Sequence, residues 1–502
     1  MTAQLLKTLL AGHRKLGVIL SLALLSWALT GMLHPIMSAT QPQPTQRTPP
    51  PQTLTLKTAI PLPTLLQQAG WRSVQQASAV TLDPQLTAYR VKLSGRPAAH
   101  YYNAQTGQTI AQGERLDATR LALWYTGKPL EQVQDARLIT AFDDDYPAVN
   151  RLLPVWKITF ADGLRAYIDP SQARLATLSN DRKMWLARLF RLGHTWSWGQ
   201  TEWPEKRPVM AAYLIATLVL TIGGILLFVR IKNTRNQRLR QQPVRRWHRR
   251  MGMGLSVMIL CWVGSGLFHL LHSSSASQPS TAQPAAFLVS SLSLSAWQAA
   301  TAQPIARIDL VPLARHAQLG QAAWLTQPIN AQLTGNMTAM SHSARMSPSE
   351  HAEHRHHAPT AQSIPQMTLL DAHSGQPVPV LQQARQLAAF YTGQPATGQA
   401  TWITEFGGEY GFINKRLPVI KVETTAPDHL RVYIEPSSGV LAAQVNDGDA
   451  REGWVFSTLH KGNWMPVAKP VRDVLLGLTA FAVALLVLMG LGVWWQRRRR
   501  ND

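Results

Sequence analysis

The sequence predicts an α-helical membrane protein with α+β domains outside the bilayer, its four transmembrane helices arranged as two parallel repeats. Three observations predict this. Four apolar runs contain no Asp, Glu, Lys or Arg. The first and third of them share one spacing of histidine, tryptophan and glycine. The long segments between the runs carry a second set of matching motifs.

The apolar runs are residues 16–33, 208–229, 251–271 and 474–495, and each is about long enough to cross a hydrocarbon core. They divide the chain into a start with the first span (1–38), an outside domain (39–180), an interfacial helix with the second span (181–232) and a basic loop (233–247). The third span (248–272), a second outside domain (273–446) and an interfacial segment with the fourth span and a basic tail (447–502) follow. The formal charge of +22 on 502 residues is concentrated beside helix ends. Residues 230–250 contain no acid and include Arg230, Arg245, Arg246, Arg249 and Arg250, and Arg497 to Arg500 follow the last span. Basic flanks face the cytoplasm, so both termini are expected there, with the two long segments on the opposite side. This placement argues against a nucleic-acid partner. The bilayer itself is the expected partner.

The first 39 residues have the pattern of a signal peptide, but residues 248–272 reproduce the segment in mid-chain, so residues 16–33 are expected to be a retained helix. Cys261 lies within a span, which leaves no disulfide framework and no cysteine-based metal motif.

The repeat in the spans runs His13, Gly17, Trp27, Gly31, His34 and again His248, Gly252, Trp262, Gly266, His269, at an offset of 235. Twenty-one residues separate the two histidines of each copy, roughly 31 Å along a helix and much the same side of it. One imidazole is therefore expected near each membrane face. In the outside segments the offset becomes 266. Tyr125, Thr126, Gly127 return as Tyr391, Thr392, Gly393. Tyr167, Ile168, Asp169, Pro170 return as Tyr433, Ile434, Glu435, Pro436. Alternation predicts strands over residues 155–160 and 429–434, and helices are expected over 115–127 and 380–393.

Much of the growth in offset lies in residues 336–367, a stretch without apolar periodicity and expected to be a loop. Its His342, His351, His354, His356 and His357, with Met337, Met340, Met346 and Met367, are a possible catch for copper or zinc, against the plainer reading of an insertion with incidental histidines.

A third matched pair, His194 and His460, also falls at 266. The amphipathic stretch before His194 predicts a helix at the outer interface. Ionisable residues in spans point to function. Neutral imidazole in an apolar setting without thiols or carboxylates suits haem iron, ligated from facing helices. The expected cofactor is haem b, two per chain and bis-histidine ligated, with His13, His34, His194, His248, His269 and His460 as candidate ligands. The pairing stays open. Gly17, Gly31, Gly252 and Gly266 either admit a flat macrocycle or let helices pack closely. His272 is a reserve candidate; His100, His316, His373 and His429 read as surface residues. Asp143, Asp144, Asp145, Glu405 and Glu409 read as acidic loops, solvated or facing a cationic chelate.

The repeated spans, the repeated YTG, the YIDP and YIEP strand ends, and the LGHTW and TLHKG segments resemble the PepSY-associated transmembrane family, which includes bacterial inner-membrane ferric-siderophore reductases. The resemblance covers nearly the whole chain outside 336–367. It implies PepSY-like periplasmic domains, an inner-membrane location, bound haem at the six histidines, and electrons delivered to a ferric siderophore or other ferric chelate in iron uptake. No G-x-G-x-x-G follows a strand, so no dinucleotide site is expected, and the electron donor would be a separate cytoplasmic reductase or quinol. Two other functions compete. One is a non-enzymatic membrane protein whose outside domains bind or regulate periplasmic proteins. The other is copper or haem handling through the His/Met tract.

Overall fold

The computed structural model describes residues 2–54, 56–198, 206–231, 242–272, 286–315, 318–329, 366–426 and 428–499. His316 and the histidines of the 336–367 tract lie outside them. The chain divides into two compact units, one of residues 1–41, 182–276 and 448–502, the other of residues 42–181 and 277–447.

In chain order the helices are α1 (Ala3–Gly31), α2 (Leu33–Thr40), α3 (Leu62–Gln68), α4 (Gly113–Thr126), α5 (Asp181–Gly193) and α6 (Lys206–Arg230). They continue with α7 (Pro243–His272), α8 (Leu294–Ala300), α9 (Val380–Thr392), α10 (Asp447–Val455) and α11 (Lys469–Arg498).

Among the described residues, the first unit holds four helical segments long and apolar enough to cross a membrane: Ala3–Thr40, α6, α7 and α11. Each begins before and ends after its apolar run, because the basic residues at its ends are themselves helical. α1 packs against α6 and α11, and α7 packs against the same two. Ala28 of α1, Val483 and Ala484 of α11, and Ile259 and Trp262 of α7 share one apolar cluster. The first segment is interrupted at Met32, between α1 and α2. Pro35 explains this, since its ring lacks an N–H for the Gly31 carbonyl and crowds it. The matching stretch in α7 has Leu270 in that place and continues unbroken to His272.

The second unit is built on sheets. The strands are β1 (Ser73–Val74), β2 (Gln76–Asp83), β3 (Leu86–Lys92), β4 (His100–Asn103), β5 (Val133–Ile139), β6 (Val155–Phe160), β7 (Arg165–Asp169) and β8 (Arg174–Ser179). Then come β9 (Phe287–Leu288), β10 (Ile305–Arg315), β11 (Gln318–Pro328), β12 (Thr368–Asp371), β13 (Ala400–Ile403), β14 (Val419–Glu423), β15 (Arg431–Glu435) and β16 (Val440–Val445). Two four-stranded antiparallel meanders, β5-β6-β7-β8 and β13-β14-β15-β16, have the same order. α4 and α9 pack on them through Leu121 and Tyr125 and through Leu387 and Ala388 respectively.

The two outside segments, expected as separate domains, share a third sheet of order β12-β11-β10-β2-β3-β4. Its central pair joins the segments, with Ala77 opposite Leu310 and Ala79 opposite Ile308. Tyr89, Leu62, Trp297, Leu310 and Trp324 lie in one core that draws on both.

The repeated motifs have visible structural work here. Gly127 and Gly393 terminate α4 and α9 at φ +67° and +66°, a left-handed conformation that glycine adopts without steric cost. The hydroxyls of Tyr125 and Tyr391 donate to the carbonyls of Ala173 and Gly439 at 2.6 and 2.8 Å, in the β7–β8 and β15–β16 turns. Glu435, fully buried, accepts from Arg174, and from Arg416 at 2.7 Å. The paired guanidiniums hold its carboxyl down at about 2 against the opposing effect of burial.

Candidate functional site: paired histidines in the helical unit

His13 and His248 sit near the arginine-bearing ends of α1 and α7. The Nδ1 of His13 is 3.2 Å from the Leu220 carbonyl oxygen of α6, and that of His248 is 3.1 Å from the Leu486 carbonyl oxygen of α11. A carbonyl only accepts, so Nδ1 carries the proton and Nε2 keeps the lone pair that a metal requires. Both imidazoles lie against a glycine. A Cβ added at Gly224 or Gly490 would come 3.1 Å from Cε1 of His13 or His248.

His194 and His460 lie toward the other ends of the helices, with ring centroids 6.2 Å apart and planes at 78°. His194 follows the last turn of α5. His460 closes a π-helical turn, Phe456–His460, that continues α10; π turns are frequent at functional sites. Their Nδ1 atoms are 3.4 Å from Thr30 Oγ1 and 3.2 Å from Ser265 Oγ. Each hydroxyl gives its proton to a carbonyl one turn back, Ser26 at 2.5 Å and Cys261 at 2.6 Å, and so accepts from the imidazole. Again Nε2 is the free donor. Burial pushes the imidazoles down to about 4 for His194 and about 3 for His460, where His194 adds its own repulsion. Both are neutral at pH 7.

Gly31 and Gly266 face these two rings, a Cβ on either lying 3.7 or 3.9 Å from Cε1. Gly17 and Gly252 instead face Leu220 and Leu486 side chains and serve helix packing. The indole N–H of Trp27 donates to the His194 carbonyl at 3.1 Å, and its ring stacks on Trp196 at 5.2 Å.

His34 in α2 lies 6.3 Å, centroid to centroid, from Phe190. His269 in α7 is 4.6 Å from Phe456 and has Nδ1 2.5 Å from Glu452 Oε1. His272 is exposed, its ring tilted by 34° against Phe268 at 4.0 Å between centroids. Elsewhere, His373 is 3.2 Å from the Ser291 carbonyl oxygen, and His429 is 2.8 Å from Asp447. Of the acidic loop residues, Asp145 pairs with Lys157 at 2.8 Å, Asp143 accepts from the Tyr146 backbone, and Glu409 holds Arg431 and Tyr433. These three carboxylates act within the fold.

The donor set fits a bis-histidine haem. His194 and His460, with ring centroids 6.2 Å apart and Nδ1 engaged in each, would hold the haem iron through Nε2. Among the described residues no group of three or more His, Cys, Asp or Glu side chains is placed to hold a metal ion. Gly224, Gly490, Thr30 and Ser265 were not singled out by motif spacing. Gly224 and Gly490 stand 266 apart and Thr30 and Ser265 stand 235 apart, so the same offsets that pair the histidines also pair these. No protein-family model matches the chain, and no curated protein matches it in sequence.

Proposed function

We propose that the chain is a haem-b-containing inner-membrane reductase of the PepSY-associated type, built by tandem duplication, that passes electrons across the membrane to periplasmic ferric iron in iron uptake. The observation that carries this is the pair of matched histidine sets, His13 with His248 and His194 with His460. Each imidazole is tied through Nδ1 and left with a free Nε2. His13 and His248 are the ligands proposed for the cytoplasmic side. His194 and His460, with His34 and His269 beside them, are those for the periplasmic side. Bound there, haem supplies one-electron chemistry, and the protein sets ligation, burial and position.

The duplication is supported by the equal meanders and by the equivalent Tyr125 and Tyr391 hydrogen bonds. The arginines between α6 and α7 and after α11 support an orientation with both termini in the cytoplasm. The donor would be a separate reductase or quinol, and the acceptor a ferric siderophore or similar oxygen chelate, whose grip on iron weakens on reduction. The test is stopped-flow mixing of dithionite-reduced, desalted protein with a ferric hydroxamate. Reoxidation of the haem bands with matching Fe(II) release is expected; reduced bands that persist would overturn the reductase reading.

A further inference from the structure

Two irons, one on His13 and His248 and one on His194 and His460, use four of the six matched histidines and leave His34 and His269. Gly31 faces the His194 ring and Gly266 the His460 ring. His34 and His269 follow these glycines by three residues, which carries them about one helical turn closer to the outer face. His34 is exposed, and the His269 side chain is 44 % exposed. A phenylalanine fills the step from each to the buried ligand. Phe190 stacks on His194 with centroids 4.7 Å apart and planes at 17°, and His34 lies 6.3 Å from it. Phe456 stacks on His460 at 4.7 Å and 12°, and His269 lies 4.6 Å from it.

The stack is kept where little else is. Between residues 190–194, FRLGH, and 456–460, FSTLH, only the phenylalanine and the histidine are shared. The backbones differ as well. The His194 N–H donates to the Phe190 carbonyl at 2.7 Å, as in an α-helix, whereas Phe456–His460 is a π turn whose Phe456 carbonyl accepts from Lys461 at 3.2 Å. Two different turns thus arrive at the same ring separation. Electron transfer weakens steeply with the gap to be crossed, and rings in contact close the gap between a buried ligand and the surface. We infer that His34 and His269 are the two points at which electrons leave the outer site, each the contact residue for the ferric chelate and each bridged to its axial imidazole by Phe190 or Phe456. One electron lost at the iron on His194 and His460 is gained by the Fe(III) of the chelate, which becomes Fe(II); no proton or bond moves on the bridging rings. The inference rests on the reductase reading above and gives the duplicated scaffold two equivalent exits.

The test is stopped-flow reoxidation of the reduced, desalted full-length protein by a ferric hydroxamate over a range of concentrations, with haem counted and a redox titration run on each variant. H34A/H269A is expected to keep the haem content and titration curve of the wild type and to need more chelate for half-maximal rate, reoxidising about tenfold more slowly because the chelate is no longer held against the stack. H34A and H269A each leave one exit and are expected to keep about half the rate; they decide the matter if the double variant does not fold. F190L/F456L is expected to slow the maximal rate while the half-saturating concentration stays put, a split that a packing role for the phenylalanines would not produce. Loss of haem in H34A or H269A would make them iron ligands and overturn the inference, as would wild-type reoxidation by a haem-replete H34A/H269A. A wild type that holds haem but is not reoxidised removes the reductase reading instead, so the two failures are distinguishable.

Discussion

The glycines opposite His13 and His248 leave space that the two imidazole rings occupy. A Cβ at Gly224 or Gly490 would sit 3.1 Å from an imidazole carbon, closer than side chains ordinarily approach, so Gly224→Val and Gly490→Val should push the rings off the Leu220 and Leu486 carbonyls. The expected result is a haem content reduced by about half, read by pyridine haemochrome. Gly254→Ala, where a Cβ meets nothing within 4 Å, is expected to leave it unchanged. Trp196 makes a second residue-scale case. It has φ +50°, and its counterpart Gly462 has φ +69°, so the same left-handed backbone is held by glycine in one half and by a stacked indole in the other. Trp196→Gly loses that stack but removes strain of order 1 kcal/mol. Its destabilisation in a thermal melt should accordingly fall below the roughly 3–5 kcal/mol usual for truncating a buried tryptophan.

Helices and meanders were largely legible because their signals are local. Strand alternation over residues 155–160 corresponds to β6, and the stretches before each YTG correspond to α4 and α9. The motif's tyrosine is explained by a contact the sequence does not display, since its acceptor lies 48 residues away in a turn. Tyr125→Phe and Tyr391→Phe are each expected to cost about 1 kcal/mol, measured by denaturant unfolding of the sheet-bearing unit, with no change in the haem spectrum. The break at Met32 was readable from Pro35, whereas the π turn ending at His460 was not, because nothing in Phe456–His460 marks a π turn in particular. Histidine positions were legible from repetition. Their hydrogen-bond partners were not, since Leu220 and Leu486 contribute backbone oxygens, which any residue carries.

At the scale of the whole molecule, joining two outside segments through β2 and β10 could not be read from either segment, because strand pairing across more than two hundred residues leaves no local pattern. The junction is reinforced where the segments meet by Glu435 with Arg174, and by Gln172 accepting from Ser437 at 2.7 Å. The folded carboxyl of Glu435 titrates at about 2, below its ordinary value. Its contribution is therefore present in full above about pH 4.5 and is lost as pH falls toward 2. Glu435→Gln is expected to lower stability at pH 7 and to flatten the acid dependence between those limits, followed by tryptophan fluorescence. Deleting residues 336–367 separates electron transfer from metal capture, and haem content and chelate reduction are expected to survive it. The central claim, two irons held by matched histidines, is tested most directly by a dithionite-reduced minus oxidised spectrum of the purified protein with pyridine haemochrome quantitation. About two b haems per chain, falling in His13→Ala and in His194→Ala, is the predicted result; protein from haem-sufficient cells with no haem bands would contradict it.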